Sequence, residues 1–122
     1  MSSLKRPLDG QMQIHHLDAD RQMIDPALLE KHGRSARTLS KDGPLRVTLF
    51  ALAPGGEMPT HKADGPVSIH VLDGDVAFTC GGETQALSGG DLVVLDRNVE
   101  HSLRSTNGCT VLLTVVHGTT IG

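Results

Sequence analysis

The chain has 122 residues, with 11 basic and 14 acidic side chains and a formal net charge of −3 at pH 7. This length predicts a single domain that can bury an ordinary core without disulfides or metals. The mildly acidic balance gives no basic stripe for a nucleic-acid backbone and no polybasic patch for anionic lipid. The two Phe, with no Tyr and no Trp, argue against stacking on nucleobases. We therefore expect small-molecule partners, no nucleic acid and no membrane.

The N-terminal residues and the cysteines indicate the compartment. Residues 1–7 lack the apolar stretch of a secretory signal, and no apolar run is long enough to cross a membrane. Cys80 and Cys109 have no C-x-x-C spacing of a thiolate metal site. We expect a cytoplasmic protein with two reduced thiols. A Cys80–Cys109 bridge stays open as the alternative, because both residues stand near predicted strand ends.

The first predicted element is one short helix over residues 25–33. Asp25 can cap it, Pro26 suits its first turn and Gly33 can end it. Residues 1–44 are accordingly expected to form an N-terminal extension that holds this helix and the first strands.

After the helix the sequence predicts only strands and turns. Asp42-Gly43 and Asp73-Gly74 predict hairpin turns, and Gly81-Gly82 predicts another turn. The strands are expected over 36–40, 45–53, 67–72, 75–79, 84–87, 92–95, 99–104 and 110–116. Short strands separated by frequent glycine turns are typical of a β-sandwich or barrel.

Two of these strands, over 47–53 and 111–116, are apolar on both faces. A half-buried strand would alternate, so both faces are expected to be covered. One face would line a barrel interior. The other needs a second sheet, the N-terminal segment or a partner subunit. A homodimer is the simplest of these, because a large exposed apolar patch is unusual on a monomer.

Two histidines close the most informative segments, one over 54–61 and one over 90–101. These segments resemble the two motifs of the cupin superfamily, whose members are small double-stranded β-helix proteins. Gly90 and His101 match the second motif, whereas Asp96 replaces its usual Pro and Asn98 its usual Gly. Asn tolerates the left-handed backbone that such a turn requires. The resemblance covers about residues 45–117 and implies an all-β cupin jelly-roll barrel as the core of the single domain.

The same resemblance implies a metal site that lacks part of its ligand set. In metal-binding cupins the first motif supplies two His and then a Glu. His61 matches the first His, but Ala63 and Val67 stand at the other two positions. A divalent ion (Zn, Fe, Mn or Ni) would then have only His61 and His101, whereas catalytic zinc normally has three protein ligands. Asp64 is the candidate that would complete the set, and a solvated turn is the alternative reading of it.

His70 is a further candidate ligand. Side chains alternate along a strand. If Val67 faces inward then Ile69 does too, and His70 faces outward unless a bulge reverses the order. Packing between sheets or subunits is the alternative role for His70.

A pocket around the His61–His101 pair is expected to have an apolar wall. Its members are Leu49, Ala51, Met58, Ala63, Val67, Ile69, Leu103 and Leu113. Such a pocket suits a small, largely apolar ligand with one polar group. Three functions stay open: binding a divalent metal together with a small molecule, with oxygenase or isomerase chemistry; metal-free binding or sensing of a small molecule; and a dimerisation module with a vestigial site. No catalytic residue is assigned, because the fold does not decide the chemistry.

Overall fold

The structure is a computed structural model, and it describes residues 12–118. Two short helices precede eight strands. These are α1 Leu17–Gln22, α2 Pro26–His32, β1 Arg34–Asp42, β2 Leu45–Leu52, β3 Glu57–His61, β4 Val67–Cys80, β5 Glu83–Ser88, β6 Leu92–Leu95, β7 His101–Arg104 and β8 Cys109–Val116. The all-β jelly-roll architecture predicted from the sequence is confirmed. In this part of the chain, no helix is apolar and long enough to span a bilayer.

The predicted helix is α2, and the structure adds α1 before it. The Asp25 carboxylate accepts from the backbone N–H of Ala27 at 2.9 Å, and Gly33 ends α2 with φ 76°. α1 has no comparable start signal, because its N-cap, His16, makes no capping side-chain hydrogen bond. The prediction of a single helix was therefore wrong, because the structure contains a second helix, α1, of six residues.

The strands form two sheets that share β4. Strands β1, β2, β8, β4 and β6 lie side by side in the first sheet. Strands β5, β4, β7 and β3 form the second sheet. The first half of β4 belongs to one sheet and its second half to the other, so the strand joins the two layers around the core.

The Asp73-Gly74 hairpin predicted from the sequence is wrong, because β4 runs through these residues without reversing. The register with β8 shifts between Val71 and Asp73, and Gly74 has φ 85°. A bulge of this kind bends a strand, and here it carries β4 from the first sheet into the second. The turns at Gly43 and at Gly81-Gly82 do close hairpins, between β1 and β2 and between β4 and β5.

The core lies between the two sheets, and alternation along β2 decides which side chains reach it. Phe50 and Leu52 belong to the core cluster, with residues of β4, β7 and β8. Leu49 and Ala51 are also buried, but they alternate with Phe50 and Leu52 and so face the outer side of the first sheet. Their expected place in a pocket wall inside the barrel was therefore wrong.

The N-terminal segment covers part of that outer face. Arg37 on β1 is the register neighbour of Leu49. Its Nε donates to the Asp20 carboxylate of α1 at 2.8 Å, and both side chains are largely buried. The sequence left a second sheet, the N-terminal segment or a partner subunit to cover this face. In the structure, the N-terminal segment is the one of these that lies next to Leu49.

Candidate functional site

The imidazoles of His61 and His101 meet at the edge of the second sheet. His61 ends β3, His101 begins β7, and the two residues are paired in the register of these strands. Their ring centroids lie 4.3 Å apart, with the ring planes tilted by 54°. The fold therefore brings together two histidines that are forty residues apart in the sequence.

The hydrogen bonds of the two rings fix their tautomers. Nδ1 of His61 lies 2.9 Å from the carbonyl oxygen of Pro59, and Nδ1 of His101 lies 2.9 Å from that of Val99. A carbonyl oxygen only accepts, so each Nδ1 carries the proton and donates it. In the neutral rings each Nε2 then keeps its lone pair. Within residues 12–118, neither Nε2 has a hydrogen-bond partner.

The two histidines differ in burial and therefore in their electrostatic surroundings. His101 is only 3% exposed, and the ring of Phe78 stacks against it with centroids 5.9 Å apart. Burial lowers the pKa of His101; the bond to Val99 opposes this shift, and the charge of nearby His61 adds to it. His61 is exposed. The pair therefore presents one imidazole held neutral by its surroundings and one open to solvent.

Asp64 lies apart from the histidine pair. Its carboxylate is 2.8 Å from Nδ1 of His117, at the end of β8. This hydrogen bond lowers the pKa of Asp64, and the backbone N–H of Gly118 acts in the same direction. The loop that holds Asp64 is also tied to β8 by a bond from the Val116 N–H to the Pro66 oxygen. Asp64 is thus a partner of His117, and its role as a metal ligand stays a prediction that this geometry does not favour.

His70 stands on the outer face of the first sheet. Val67 and Ile69 are buried in the core, so alternation turns His70 away from it. Its register neighbours are Leu92 on β6 and Leu112 on β8. This arrangement places His70 away from the His61–His101 pair.

The residues present do not complete the metal centre that the resemblance implies. The two imidazoles would fit two coordination positions, since each offers an Nε2 lone pair. Across the described ranges, no group of three or more His, Cys, Asp or Glu side chains could hold a metal ion. A third donor would have to come from a ligand or from water.

Fewer apolar side chains are available around the His61–His101 pair than the sequence predicted. Val67, Ile69 and Leu103 are core residues. Met58 and Ala63 are only partly buried, and they pack against that core. Leu113 does the same from β8. Of these partly buried residues, Met58 and Ala63 are the two that stand within three positions of His61 in the chain.

Cys80 is a neighbour of the site that the sequence reasoning missed. It is the register partner of His101 across β4 and β7, it is free, and it is partly exposed. Both residues border a depression of about 390 Å³. Its other lining residues are Thr60, Thr79, Gly81, Gly82, Glu100 and Ser102. Side chains alternate along a strand, and Cys80 stands two positions after the core residue Phe78. This alternation could have predicted that Cys80 lies on the same side of the second sheet as Phe78. Cys109 is buried and also free.

Comparison with solved structures shows the same fold in proteins from several bacteria. A conserved protein of unknown function from Streptococcus pyogenes is 21% identical, with 97% of each chain covered and a TM-score of 0.69. An RmlC-like cupin from Shewanella frigidimarina is 19% identical over 69% of this chain and 76% of its own, with a TM-score of 0.66. KdgF from a Halomonas species is 18% identical over 70% and 80%, with a TM-score of 0.61. At these identities the likeness shows the fold alone.

The family assignment follows from a comparison with protein-family models. No curated protein matches the chain. The model of the cupin domain matches residues 48–117, which include both histidines of the pair and strands β3 to β8. The chain therefore belongs to the cupin domain family.

Proposed function

We propose that this cupin binds a small molecule at the His61–His101 pair. The observation that carries the proposal is the meeting of the two imidazoles, 4.3 Å apart, with both Nδ1 atoms engaged by backbone carbonyls. The two Nε2 atoms are then the polar groups available to a ligand. A small number of polar groups that point to the same place beside apolar side chains is typical of a small-molecule site.

The tautomers define the chemistry that the ligand needs. A neutral imidazole with its proton on Nδ1 accepts a hydrogen bond at Nε2. The ligand therefore supplies a donor, such as a hydroxyl group, an amide N–H or a protonated carboxyl group. Each such bond contributes about 1 kcal/mol of net binding free energy. The apolar part of the ligand would contact Met58 and Ala63.

The proposal is tested with a set of small hydroxyl, amide and carboxylic-acid compounds, screened by ligand-observed NMR. Compounds that bind the wild type should lose binding to His61→Ala and to His101→Gln. His61 is exposed, so its removal should leave the fold intact. His32→Ala is the matched control, because His32 is exposed at the end of α2. Equal binding to the wild type and to His61→Ala would exclude this site.

A divalent metal at the same pair is the second candidate, and one observation favours it. Metal-ligating histidines usually donate their other ring N–H to a carbonyl or carboxylate, which orients the ring. Both rings have this hydrogen bond, to Pro59 and Val99. The pair would hold the metal through two Nε2 atoms, and a bound ligand or water would complete the coordination. The metal would then act as a Lewis acid on that ligand.

Elemental analysis of protein purified without an affinity tag separates the two candidates. Near-stoichiometric metal that is lost in His61→Ala and in His101→Gln supports the metal site. Titration with Zn²⁺ extends the test to protein that has lost its metal during purification. Asp64→Ala is expected to retain the metal, because Asp64 binds His117 instead. If the protein contains no metal and takes up no added Zn²⁺, the metal site is excluded and metal-free binding of a small molecule remains as the proposed function.

A further inference from the structure

We infer that the β1–β2 hairpin holds a binding site for the oxyanion group of a small molecule, either a carboxylate or a phosphate. The site is a polar patch, the hairpin patch, that comprises Thr38 and Lys41 of β1 and Arg46 and Thr48 of β2. It includes neither histidine of the pair described above, so this inference does not depend on the proposed function.

The hairpin patch lies on the core side of the first sheet. It consists of two register pairs, Thr38 with Thr48 and Lys41 with Arg46, and the members of such a pair share a face of the sheet. On β2, Arg46 and Thr48 alternate in step with the core residue Phe50, so they face the same side as Phe50. Val115, the neighbour of Arg46 on β8, packs against that core. The patch therefore borders the inside of the barrel.

Lys41 and Arg46 are like charges that face each other across the hairpin. Directly opposed residues have Cβ atoms about 5 Å apart, and like charges at this spacing are destabilising. In the described part of the chain, neither side chain forms an ion pair. Asp42 alternates with Lys41 and so faces the other side of the sheet, and Asp64 binds His117. An oxyanion between the two cations would remove their repulsion.

The Arg46 guanidinium is oriented by the turn of its own hairpin. Its Nη1 donates to the carbonyl oxygens of Gly43 and Leu45, the latter at 2.9 Å. Among the described residues, these bonds leave Nε and Nη2 without a partner. Two parallel N–H groups of a guanidinium bind carboxylate and phosphate oxygens in a bidentate manner. Arg46 therefore supplies the directional contact, and the exposed Lys41 supplies a second positive charge.

The hydroxyl groups of Thr38 and Thr48 add neutral donors to the same face. Both residues are half-buried, and within residues 12–118 neither hydroxyl has a hydrogen-bond partner. A hydroxyl group donates one hydrogen bond, and a buried polar group without a partner is unfavourable. The two threonines would donate to the oxygen atoms of the oxyanion that the guanidinium does not bind. Charge and hydrogen-bond donors thus converge on one ligand group.

The experiment is an NMR titration of the full chain with inorganic phosphate and, separately, with sodium acetate, both at constant ionic strength. The Nε–H resonance of Arg46 and the backbone amides on either side of the β1–β2 turn should shift and saturate with at least one of the two anions. The anion that saturates at the lower concentration identifies the oxyanion as phosphate or carboxylate. Sodium chloride at the same ionic strength should give no saturable shift. Failure of both phosphate and acetate to saturate would overturn the inference.

Variants assign the binding to the hairpin patch. Arg46→Lys keeps the charge but loses the bidentate contact, and it should weaken anion binding about tenfold. Lys41→Gln should weaken it by a similar factor, and it should raise the unfolding temperature of the anion-free protein at low salt, because it removes the repulsion. Lys31→Gln makes the same change at an exposed residue of α2 and should alter neither property. Wild-type anion affinity in Lys41→Gln would overturn the inference.

Discussion

The backbone N–H of Asn98 donates to the carbonyl oxygen of Ala63 at 2.7 Å. This bond joins the turn that leads into His101 to the loop that follows His61. Asn98 adopts φ 62°, a left-handed conformation that Asn accepts more readily than other non-glycine residues. The residue that replaces the family's usual glycine thus keeps the turn and connects the two histidine segments.

Replacement of Asn98 by valine should therefore destabilise the protein. A β-branched residue in the left-handed region costs about 1–2 kcal/mol, and the turn would distort to avoid that cost. Asn98→Gly should stay within a few tenths of a kcal/mol of the wild type, because glycine adopts this conformation freely. Urea unfolding of both variants measures the difference. A valine variant as stable as the glycine variant would show that the turn does not need a left-handed residue.

The titration of His101 should lie below the usual histidine range. Burial and the charge of His61 both disfavour its protonated form. Because the folded pKa lies below the unfolded one, the neutral ring contributes stability above the unfolded pKa. That contribution is lost as the pH falls from the unfolded pKa through the folded pKa. NMR of the imidazole resonances against pH measures the shift directly.

The same titration in His61→Ala tests the cause of the shift. Loss of His61 removes a like charge and opens the site to water, and both changes should raise the pKa of His101. His32→Ala should leave the curve unchanged, because His32 lies on α2. A His101 titration that is identical in the wild type and in His61→Ala would mean that the two rings are not electrostatically coupled.

Asp75 should contribute to the acid sensitivity of the fold. Its carboxylate accepts from the backbone N–H groups of Thr106 and Asn107 at 2.9 and 2.8 Å, and these bonds lower the pKa of Asp75. A carboxyl group whose folded pKa is depressed stabilises the fold above its unfolded pKa. That stabilisation is lost as the pH falls through the folded pKa.

Asp75→Asn is therefore expected to be less stable than the wild type at neutral pH, with a gap that narrows in acid. Thermal unfolding at pH 7 and at pH values below the ordinary carboxyl range measures this change. Asp18→Asn is the control, because the Asp18 side chain is 91% exposed on α1 and should show no such gap. A gap between Asp75→Asn and the wild type that is constant with pH would refute the assignment.

The parts of the fold that could be predicted from the sequence are those fixed by neighbouring residues. The cap at Asp25, the glycine end of α2 and the turns at Gly43 and Gly81-Gly82 all act over a few positions along the chain. The strand alternation that turned Val67 inward and His70 outward is equally local. The cupin motifs then linked two distant segments, and the structure brings His61 and His101 together.

The parts that could not be predicted depend on contacts between distant residues. Asp64 binds His117, which is 53 positions away, and no local pattern indicates that pairing. Cys80 stands beside His101 only because of the register between β4 and β7. The outward orientation of Leu49 follows from the position of its neighbour Phe50 in the core, and that position is a tertiary contact. The Asp73-Gly74 pair is the clearest case, because a left-handed glycine suits a type I′ hairpin turn as well as a bulge.

Gly74→Ala distinguishes the bulge from an ordinary turn. A Cβ at Gly74 would lie 2.1 Å from the Gly108 oxygen and 2.7 Å from the Cys109 Cα, and φ is +85°. The strain of the left-handed backbone adds to overpacking against β8, so a loss of about 3 kcal/mol is expected. At Gly43, in the β1–β2 turn, φ is +54° and no atom lies within 4 Å of such a Cβ. Gly43→Ala should therefore lose only about 1 kcal/mol. Equal losses in urea unfolding would mean that β4 does not pass this closely by β8.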